Sequence, residues 1–162
     1  MRNPRRPSGD FVDGVHHLTF PVYYEDTDAG GVVYYANYLR FAERGRTEAL
    51  HLAGIDHQEL MADFGIWFVA RRCVVDYLRP GRLDDLLTVK TSIRELKKSS
   101  LLMRQEIVNE QETICVVDAF MVCVNSDVKP QRIPDTVRNQ LLEYMPVLGT
   151  NDLERRTEPH DR

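Results

Sequence analysis

The sequence predicts an α+β protein in which an antiparallel β-sheet wraps around one long helix. Three observations favour this fold class: an amphipathic helical pattern early in the chain, a run of long strands after it, and short polar connections between those strands. A helix with one apolar stripe and a sheet with one apolar face are stable when they bury those surfaces against each other. A sheet built from these strands does so by curling around the helix.

The first strand and the helix are adjacent in the sequence. Residues 17–24, HLTFPVYY, alternate well enough for a strand. From about Tyr34 the apolar side chains follow a helical period as far as Leu52, which predicts a helix of about four or five turns. Gly54 offers a natural stop for this helix. We expect HQELMADFG, residues 57–65, to form one short helical piece.

Four long strands are predicted after this point, and an amphipathic stretch, residues 135–144, follows them. Short polar connections between the strands are typical of antiparallel neighbours. The first and the last of the four are apolar on both faces, as central strands covered on both sides would be. The four strands span residues 66–78, 85–96, 101–109 and 113–125.

A single domain accounts for most of the chain. The 162 residues are enough for one ordinary core and too few for two. Residues 1–14 and 147–162 are rich in charge, Pro and Gly, so we expect flexible tails on either side of a domain at residues 15–146. No apolar run approaches the roughly 18 to 20 residues of a membrane span, and no secretory signal is evident, which predicts a cytoplasmic protein.

The charge and the cysteine content exclude several classes of function. The chain has 21 Lys and Arg against 25 Asp and Glu, which argues against a broad nucleic-acid-binding surface. Cys73, Cys115 and Cys123 are odd in number and lack C-x-x-C spacing, so we interpret them as reduced thiols in buried strands. The five histidines show no metal-ligand spacing, and we expect no metal site.

The last predicted strand indicates that the protein assembles into an oligomer. Five strands would cover the helix from one side only. Residues 113–125 are apolar on both faces, so a monomer would expose a large apolar patch on the outer face. We therefore expect a homo-oligomer, either a dimer or a homotetramer.

A motif before and within the helix carries a resemblance to a known family. Residues 23–48, YYEDTDAGGVVYYANYLRFAERGRTE, resemble the signature of the 4-hydroxybenzoyl-CoA thioesterase family, and most closely its branch of bacterial Tol-Pal-associated acyl-CoA thioesterases. The resemblance covers roughly residues 17–140, because it continues through FVARRCVVDYLRPGRLDDLLTVKTSI, SSLLMRQEIVNEQ and KPQRIP. It implies the hotdog fold, dimers with a continuous sheet, often tetramers, and active sites at the dimer interface. It also implies hydrolysis of a CoA or acyl-carrier-protein thioester without any metal or organic cofactor.

Hydrolysis of a thioester requires two kinds of chemical group in the site. One is a donor for the carbonyl oxygen as negative charge builds there, and the other activates water or attacks the carbonyl directly. Gly30 and Gly31 permit a tight turn whose backbone N–H groups can approach a ligand, next to the positive end of the following helix. By position in the motif, the resemblance makes Asp28 the catalytic carboxylate, as general base or as nucleophile. It makes the backbone N–H of Tyr35 the main oxyanion donor, and it gives Glu43 a supporting role.

Other interpretations of the acidic turn are weaker. Asp26 and Asp28 are both candidates for simple turn formers, and we prefer that role for Asp26. An EF-hand calcium loop that begins at Asp26 would need a bidentate Glu at its twelfth position, which is Asn37. Glu43 lies off the apolar stripe, so the alternative to a supporting catalytic role is that of a charged residue on the solvated surface.

A basic loop is the candidate site for the phosphates of CoA. The segment KKSS between two predicted strands provides Lys97, Lys98 and Ser100, and Arg132 follows later in the chain. The resemblance places basic and hydroxyl residues in the matching loop. A solvated hairpin loop is the alternative, since lysines are common in such loops.

Two other functions compete with thioester hydrolysis. A non-catalytic module that binds acyl-CoA or acyl-carrier protein would keep the pocket and lose the carboxylate, so Asp28 argues against it. A hotdog dehydratase or hydratase would pair a histidine with an acid near the helix, and no histidine lies between residues 18 and 50. We therefore predict a thioester hydrolase.

Overall fold

The computed structural model describes residues 5–149 of the chain. Its described part contains six strands and three α-helices, together with a short 3₁₀ turn at Tyr24–Asp26 and a π-helical turn at Leu60–Phe64. In chain order the elements are β1 Asp10–Val12, β2 Val15–Pro21, α1 Asn37–Leu52, α2 His57–Glu59, β3 Ile66–Tyr77, β4 Leu86–Leu96, β5 Ser100–Asn109, β6 Glu112–Asn125 and α3 Asp135–Tyr144.

All six strands form one antiparallel sheet in the order β1-β2-β4-β5-β6-β3. The five predicted strands correspond to β2 to β6, with ends that differ by at most three residues. The predicted α+β arrangement, an antiparallel sheet around a central helix, is confirmed.

Strand β1 lies within the segment that the sequence predicted to be a flexible tail. It pairs with β2 through a two-residue turn at Asp13 and Gly14, which have φ angles of 50° and 75°. Asp-Gly is a strong signal for such a hairpin, because both positions need a positive φ. The tail prediction is therefore wrong for Asp10–Val12, and the Asp-Gly pair was the signal that could have revealed the strand.

Helix α1 packs on the inner face of the sheet through the predicted stripe. Tyr38, Phe41 and Ala42 are buried, as are Gly45 and Ala49 one and two turns later. A Cβ atom at Gly45 would lie only 2.7 Å from the Cγ1 atom of Val89 and 2.9 Å from the Nε2 atom of Gln105. Glycine thus allows the helix backbone to approach the sheet closely.

Strand β3 occupies an edge of the sheet rather than the predicted central position. It pairs with β6 on one side, and no described strand pairs with its other side. A register shift between Ala70 and Arg72 interrupts the alternation of its side chains between the two faces. Apolar residues on both faces therefore do not indicate a central strand here. Cys73 is consequently exposed, against the prediction, whereas Cys115 and Cys123 are buried as expected. Burial raises the pKa of Cys115 to about 12.

The C-terminal helix closes one end of the core. Val137 and Leu141 of α3 are buried, and so are Met145 and Leu148 after it. The Leu148 N–H donates to the carbonyl oxygen of Ile93 at 2.9 Å, which ties the segment after α3 to β4 beyond the end of β2. Leu148 falls within the predicted C-terminal tail and packs against the domain, while residues 150–162 of that tail lie outside the described residues, as do residues 1–4.

Among the described residues, no helix combines the length and the hydropathy needed to cross a membrane.

Candidate active site

The two aspartates of the acidic turn have different environments. Asp26 is buried, and its Oδ2 atom accepts a hydrogen bond from the Tyr23 N–H at 2.9 Å. Its carbonyl oxygen accepts from the Tyr34 N–H and from the Asn37 side-chain amide, both at 2.9 Å. These bonds tie the turn to the first residue of α1. They support the turn-forming role expected of Asp26.

Asp28 is exposed, and the turn orients its carboxylate. The Oδ1 atom accepts from the Gly30 N–H at 2.8 Å, and the backbone N–H of Asp28 donates to the Val32 carbonyl at 2.8 Å. In the described part of the chain the Oδ2 atom accepts no hydrogen bond. One carboxylate oxygen is therefore fixed by the turn and the other is open to a ligand.

The two glycines shape the turn instead of supplying free donors. Gly31 has a φ of 76°, a conformation that favours glycine. Its N–H donates to the Asp28 carbonyl at 3.1 Å, and the Gly30 N–H is held by the Asp28 carboxylate. In this respect the structure differs from the sequence prediction, since both N–H groups are already bonded within the turn.

The backbone N–H of Tyr35 is a better candidate for an oxyanion donor. Tyr35 precedes α1, which begins at Asn37, about three residues later than the predicted helix start at about Tyr34. Within the described residues its N–H takes part in no hydrogen bond, and the positive end of the helix dipole lies beside it. An antiparallel bridge between Thr27 and Val33 closes the turn that holds Asp28, and Tyr35 lies two residues beyond Val33.

Tyrosine side chains form one wall of the site. The ring of Tyr35 lies 4.9 Å from that of Tyr34 and 6.3 Å from that of Tyr77, measured between centroids. The Tyr77 hydroxyl donates to the Tyr35 carbonyl at 3.1 Å and so fixes the backbone of the proposed donor. Tyr38 is buried, which raises its pKa, and its hydroxyl accepts from the Gly81 N–H at 2.9 Å. Sequence reasoning missed Tyr77, because it lies 42 residues from Tyr35 and only the fold joins them.

Glu43 lies away from the acidic turn. It is on α1, about 9 Å along the helix axis from Asn37 at the usual rise per residue. Its Oε1 atom accepts a hydrogen bond from the Thr47 hydroxyl at 2.8 Å, and it lines a cavity of about 220 Å³ between α1 and the sheet. The structure thus places Glu43 in a cavity wall and shows no contact between it and Asp28.

The predicted CoA-contacting residues come together at one end of the sheet. The Lys97 N–H donates to the Ser100 carbonyl at 2.8 Å and closes the hairpin between β4 and β5. The Ile133 N–H donates to the Lys98 carbonyl at 2.9 Å, which places Arg132 beside this loop. We call Lys97, Lys98, Ser100 and Arg132 the basic loop cluster.

Two carboxylates and one further arginine border the basic loop cluster. The Nζ atom of Lys97 lies 3.6 Å from a carboxylate oxygen of Glu95, and an Nη2 atom of Arg132 lies 3.3 Å from one of Asp135. Arg138 of α3 donates to the Lys97 and Lys98 carbonyls. Sequence reasoning missed Arg138, because its contact with the hairpin depends on how α3 packs.

Within one chain the basic loop cluster and the acidic turn lie at opposite ends of β3. Ser100 pairs with Val122, which pairs with Val69 near the start of β3. Tyr77, which contacts Tyr35, ends the same strand. Eight residues separate Val69 from Tyr77, a distance of about 26 Å along an extended strand.

The antiparallel sheet around a central helix is the hotdog arrangement, and the comparisons with known proteins identify the class as thioester hydrolases. The family model of the thioesterase superfamily matches residues 30–116 of the chain. The acyl-CoA thioester hydrolase YbgC of Escherichia coli strain CFT073 is 44% identical over 118 residues, which cover 72% of this chain and 87% of that protein. The acyl-CoA thioesterase YbgC of Haemophilus influenzae is 39% identical over 124 residues, which cover 75% of this chain and 91% of that protein.

A solved structure agrees with the sequence comparisons. The crystal structure of a probable thioesterase from Bartonella henselae matches with a TM-score of 0.71 and 35% identity, over 74% of this chain and 99% of that one. This chain therefore belongs to the thioesterase superfamily. The family, the hotdog fold and the hydrolase class predicted from the sequence are confirmed.

Proposed function

We propose that this protein is an acyl-CoA thioesterase and that Asp28 acts on the thioester carbonyl. The observation that carries the proposal is an exposed carboxylate that the Gly30 N–H orients, in the turn that leads to the open Tyr35 N–H and to α1. The E. coli and H. influenzae relatives, named for acyl-CoA, support CoA as the thiol carrier. An acyl-carrier protein presents the same thioester and is the second carrier to test.

Two routes lead from this geometry to the products. As a general base, Asp28 takes a proton from water as the water attacks the carbonyl carbon, and later returns it to the departing CoA thiolate. As a nucleophile, Asp28 attacks the carbonyl itself and releases CoA thiolate, and water then hydrolyses the mixed anhydride. In both routes the Tyr35 N–H stabilises the negative charge that develops on the carbonyl oxygen.

The free edge of β3 supports a dimer. Two copies can pair their β3 strands antiparallel and so join their sheets, which covers the unpaired backbone groups of this edge. Phe120 and Val122 on the outer face of β6 stay half-buried and are available for a second contact that would produce the homotetramer. Both assemblies belong to the proposal.

Dimerisation also brings the two parts of the site together. Antiparallel pairing of β3 sets the Tyr77 end of one strand beside the 66–70 end of the other. The acidic turn of one protomer then lies close to the partner's basic loop cluster. We propose that the cluster binds the phosphates of CoA while the thioester lies at Asp28 of the other protomer.

The cytoplasm is the proposed location. CoA thioesters are intracellular metabolites, and the described residues contain three free cysteines, which suits a reducing compartment. Fractionation of cells that produce the protein tests this location. Recovery in a secreted fraction would contradict it.

An assay of thiol release tests the activity. Acyl-CoA thioesters of different acyl groups, and the same acyl groups on an acyl-carrier protein, are incubated with the purified protein, and free thiol is measured. We expect thiol release with at least one acyl-CoA. Tight binding of acyl-CoA without thiol release would instead support the non-catalytic binding module.

A further inference from the structure

The backbone of Tyr35 lies between hydrogen bonds that join the acidic turn to α1, and it takes part in none of them. The Asn37 N–H donates to the Tyr34 carbonyl at 2.8 Å. The Leu39 N–H donates to the Ala36 carbonyl at 3.2 Å. The first backbone bonds at the start of α1 therefore use the carbonyl groups on either side of Tyr35 and leave its own carbonyl to another donor.

The hydroxyl group of Tyr77 is that donor. Its oxygen lies 3.1 Å from the Tyr35 carbonyl oxygen, and among the described residues it is the hydrogen-bond partner of that carbonyl. A carbonyl oxygen only accepts, so the hydroxyl donates its proton. Desolvation raises the pKa of Tyr77, which keeps this proton in place at neutral pH. A side chain from β3, instead of the helix backbone, thus orients the peptide group that follows Tyr35.

The ring of Tyr77 is held in its turn by the core. It packs edge to face on the ring of Tyr38, at 5.7 Å between centroids, and on the ring of Tyr35 at 6.3 Å. Tyr38 is only 3% exposed, and its hydroxyl accepts from the Gly81 N–H. Tyr77 also pairs with Cys115 of β6 as the last residue of β3. The Tyr77 hydroxyl therefore has a position that the sheet and the buried Tyr38 determine.

The chain on both sides of the donor residue is anchored independently of Tyr77. Before it, the Val33 N–H donates to a carbonyl of the loop after β3 at 2.8 Å. After it, the side-chain amide of Asn37 donates to the Asp26 carbonyl at 2.9 Å. Loss of the Tyr77 hydroxyl would therefore leave the fold of the turn intact and release mainly the backbone at Tyr35.

We propose that Tyr77 is a positioning residue for thioester hydrolysis, whose hydroxyl holds the backbone at Tyr35 so that the Tyr35 N–H meets the oxyanion. The inference rests on the proposed function, because it concerns the donor of the same site. Donors that stabilise an oxyanion act through their fixed geometry, and a small displacement of such a group lowers the rate. Tyr77 acts through Tyr35, and no contact with the substrate is needed.

The Tyr77→Phe variant tests this role, since it removes the hydroxyl and keeps the ring. We expect kcat for acyl-CoA to fall about tenfold, which is less than the roughly 10²- to 10³-fold loss when an oxyanion donor is removed altogether. KM should stay within about twofold, because the contacts that bind the substrate remain. A folded Tyr77→Phe variant with the kcat of the wild type would overturn the proposal, and so would a change confined to KM.

Tyr144→Phe is the matched control. It removes the hydroxyl of another partly exposed tyrosine, at the end of α3. We expect its kcat and KM to equal those of the wild type, and thermal melts to show that both variants are folded. An equal loss of kcat in the two variants would overturn the specific role of Tyr77.

Nuclear magnetic resonance reads the positioning without catalysis. The amide signals of Tyr35 and Ala36 are compared in the wild type, Tyr77→Phe and Tyr144→Phe, all labelled with nitrogen-15 and free of substrate. The Ala36 N–H belongs to the same peptide group as the Tyr35 carbonyl, so loss of the hydrogen bond should shift both signals in Tyr77→Phe and neither in Tyr144→Phe. Unshifted signals in Tyr77→Phe would overturn the proposal.

The outcomes separate the role of Tyr77 from the proposed function. Hydrolysis that is lost in Asp28→Asn and unchanged in Tyr77→Phe would overturn the positioning role alone. Absence of hydrolysis by the wild type with every acyl-CoA would overturn the proposed function, and the role of Tyr77 in catalysis with it.

Discussion

Asp26 and Asp28 are two residues apart and differ in nearly every physical property. Asp26 is only 6% exposed, and the oxygens of its side chain and its backbone accept hydrogen bonds within the turn. Asp28 is exposed, with one carboxylate oxygen held by the Gly30 N–H. Asp is common in turns, so composition alone does not separate the two residues. The surrounding motif did separate them, and the structure supplies the physical difference.

Some parts of the candidate site could be predicted from the sequence, and others could not. Asp28 and Tyr35 lie in one short motif, so the local sequence was enough to select both as candidates. Tyr77 and Arg138 contact the site regions from elements that are distant in sequence, and spacing alone carries no information about such contacts. Glu43 lies away from the acidic turn within one chain, and its supporting role stays a prediction.

Lys97 and Lys98 provide a test of the CoA-binding end. Replacement of both by Ala should raise KM for acyl-CoA about fivefold to tenfold with a smaller change in kcat, since two positive charges near the phosphates are lost. The dependence of kcat/KM on salt should weaken as well. Steady-state kinetics at low and high salt provide the measurement, with Lys90→Ala on β4 as the control. An unchanged KM would indicate that both lysines are solvated residues of the hairpin loop and do not bind CoA.

The burial of His16 predicts that the folded protein loses stability in mild acid. This side chain is fully buried, its Nε2 atom lies 3.0 Å from the Ser8 carbonyl, and burial lowers its pKa below the ordinary 6.5 despite the nearby Glu48 and Asp10. The unfolded chain therefore binds this proton more readily than the folded protein. The stability contribution is complete above about pH 6.5 and falls as the pH decreases toward the folded pKa.

Thermal melts at pH 7.5 and pH 5 measure this effect. His16→Gln should lose less Tm between the two pH values than the wild type, because the titrating group is gone. An equal loss in the His16→Gln variant and in the wild type would show that His16 does not control the acid sensitivity.

At the scale of elements, periodicity predicted most of the structure. The stripe from Tyr38 to Ala49 predicted the buried face of α1, and the segments 85–96 and 101–109 predicted the strands β4 and β5. Strand β1 is too short for a periodic signal and was identified by neither pattern nor composition. The edge position of β3 was also missed, since strand order depends on pairing between segments that are far apart in sequence.

The contact between α1 and the sheet predicts the effect of a single methyl group. Gly45→Ala would add a Cβ atom 2.7 Å from the Cγ1 atom of Val89, in a region that is fully packed. The gain in helix propensity is about 1 kcal/mol, and overpacking of this kind costs about 1 to 3 kcal/mol. We expect a net loss of stability, seen as a lower Tm. A Tm equal to or above that of the wild type would contradict the close approach of helix and sheet.

At the scale of the whole molecule, the proposed site needs two chains. The acidic turn and the basic loop cluster lie near positions about 26 Å apart along β3, and in the proposed dimer antiparallel pairing of two β3 strands would bring one protomer's turn to the other's cluster. Multi-angle light scattering should therefore report a dimer or a tetramer at micromolar concentration. A monomer that still hydrolyses acyl-CoA would contradict the shared site.

Mixed subunits test the sharing directly. Asp28→Asn protein is mixed with protein that carries Lys97→Ala and Lys98→Ala, under conditions in which subunits exchange, and activity is measured at low acyl-CoA. A mixed dimer then contains one site with both Asp28 and the lysines, so about a quarter of the sites are intact at random assortment. If each site used its own loop, no intact site would form, and the activity would stay near the average of the two parents.

The central claim is that Asp28 performs the chemistry of thioester hydrolysis. The most direct measurement is steady-state kinetics of Asp28→Asn and Asp26→Asn with the best acyl-CoA substrate, supported by thermal melts that show both variants to be folded. Asparagine keeps the shape and the hydrogen-bonding reach of the side chain but removes its charge and basicity. The account predicts that Asp28→Asn lowers kcat at least about 10²-fold while the substrate still binds, and that Asp26→Asn costs far less. Normal hydrolysis by a folded Asp28→Asn variant would contradict the account and reduce Asp28 to a residue that shapes the turn.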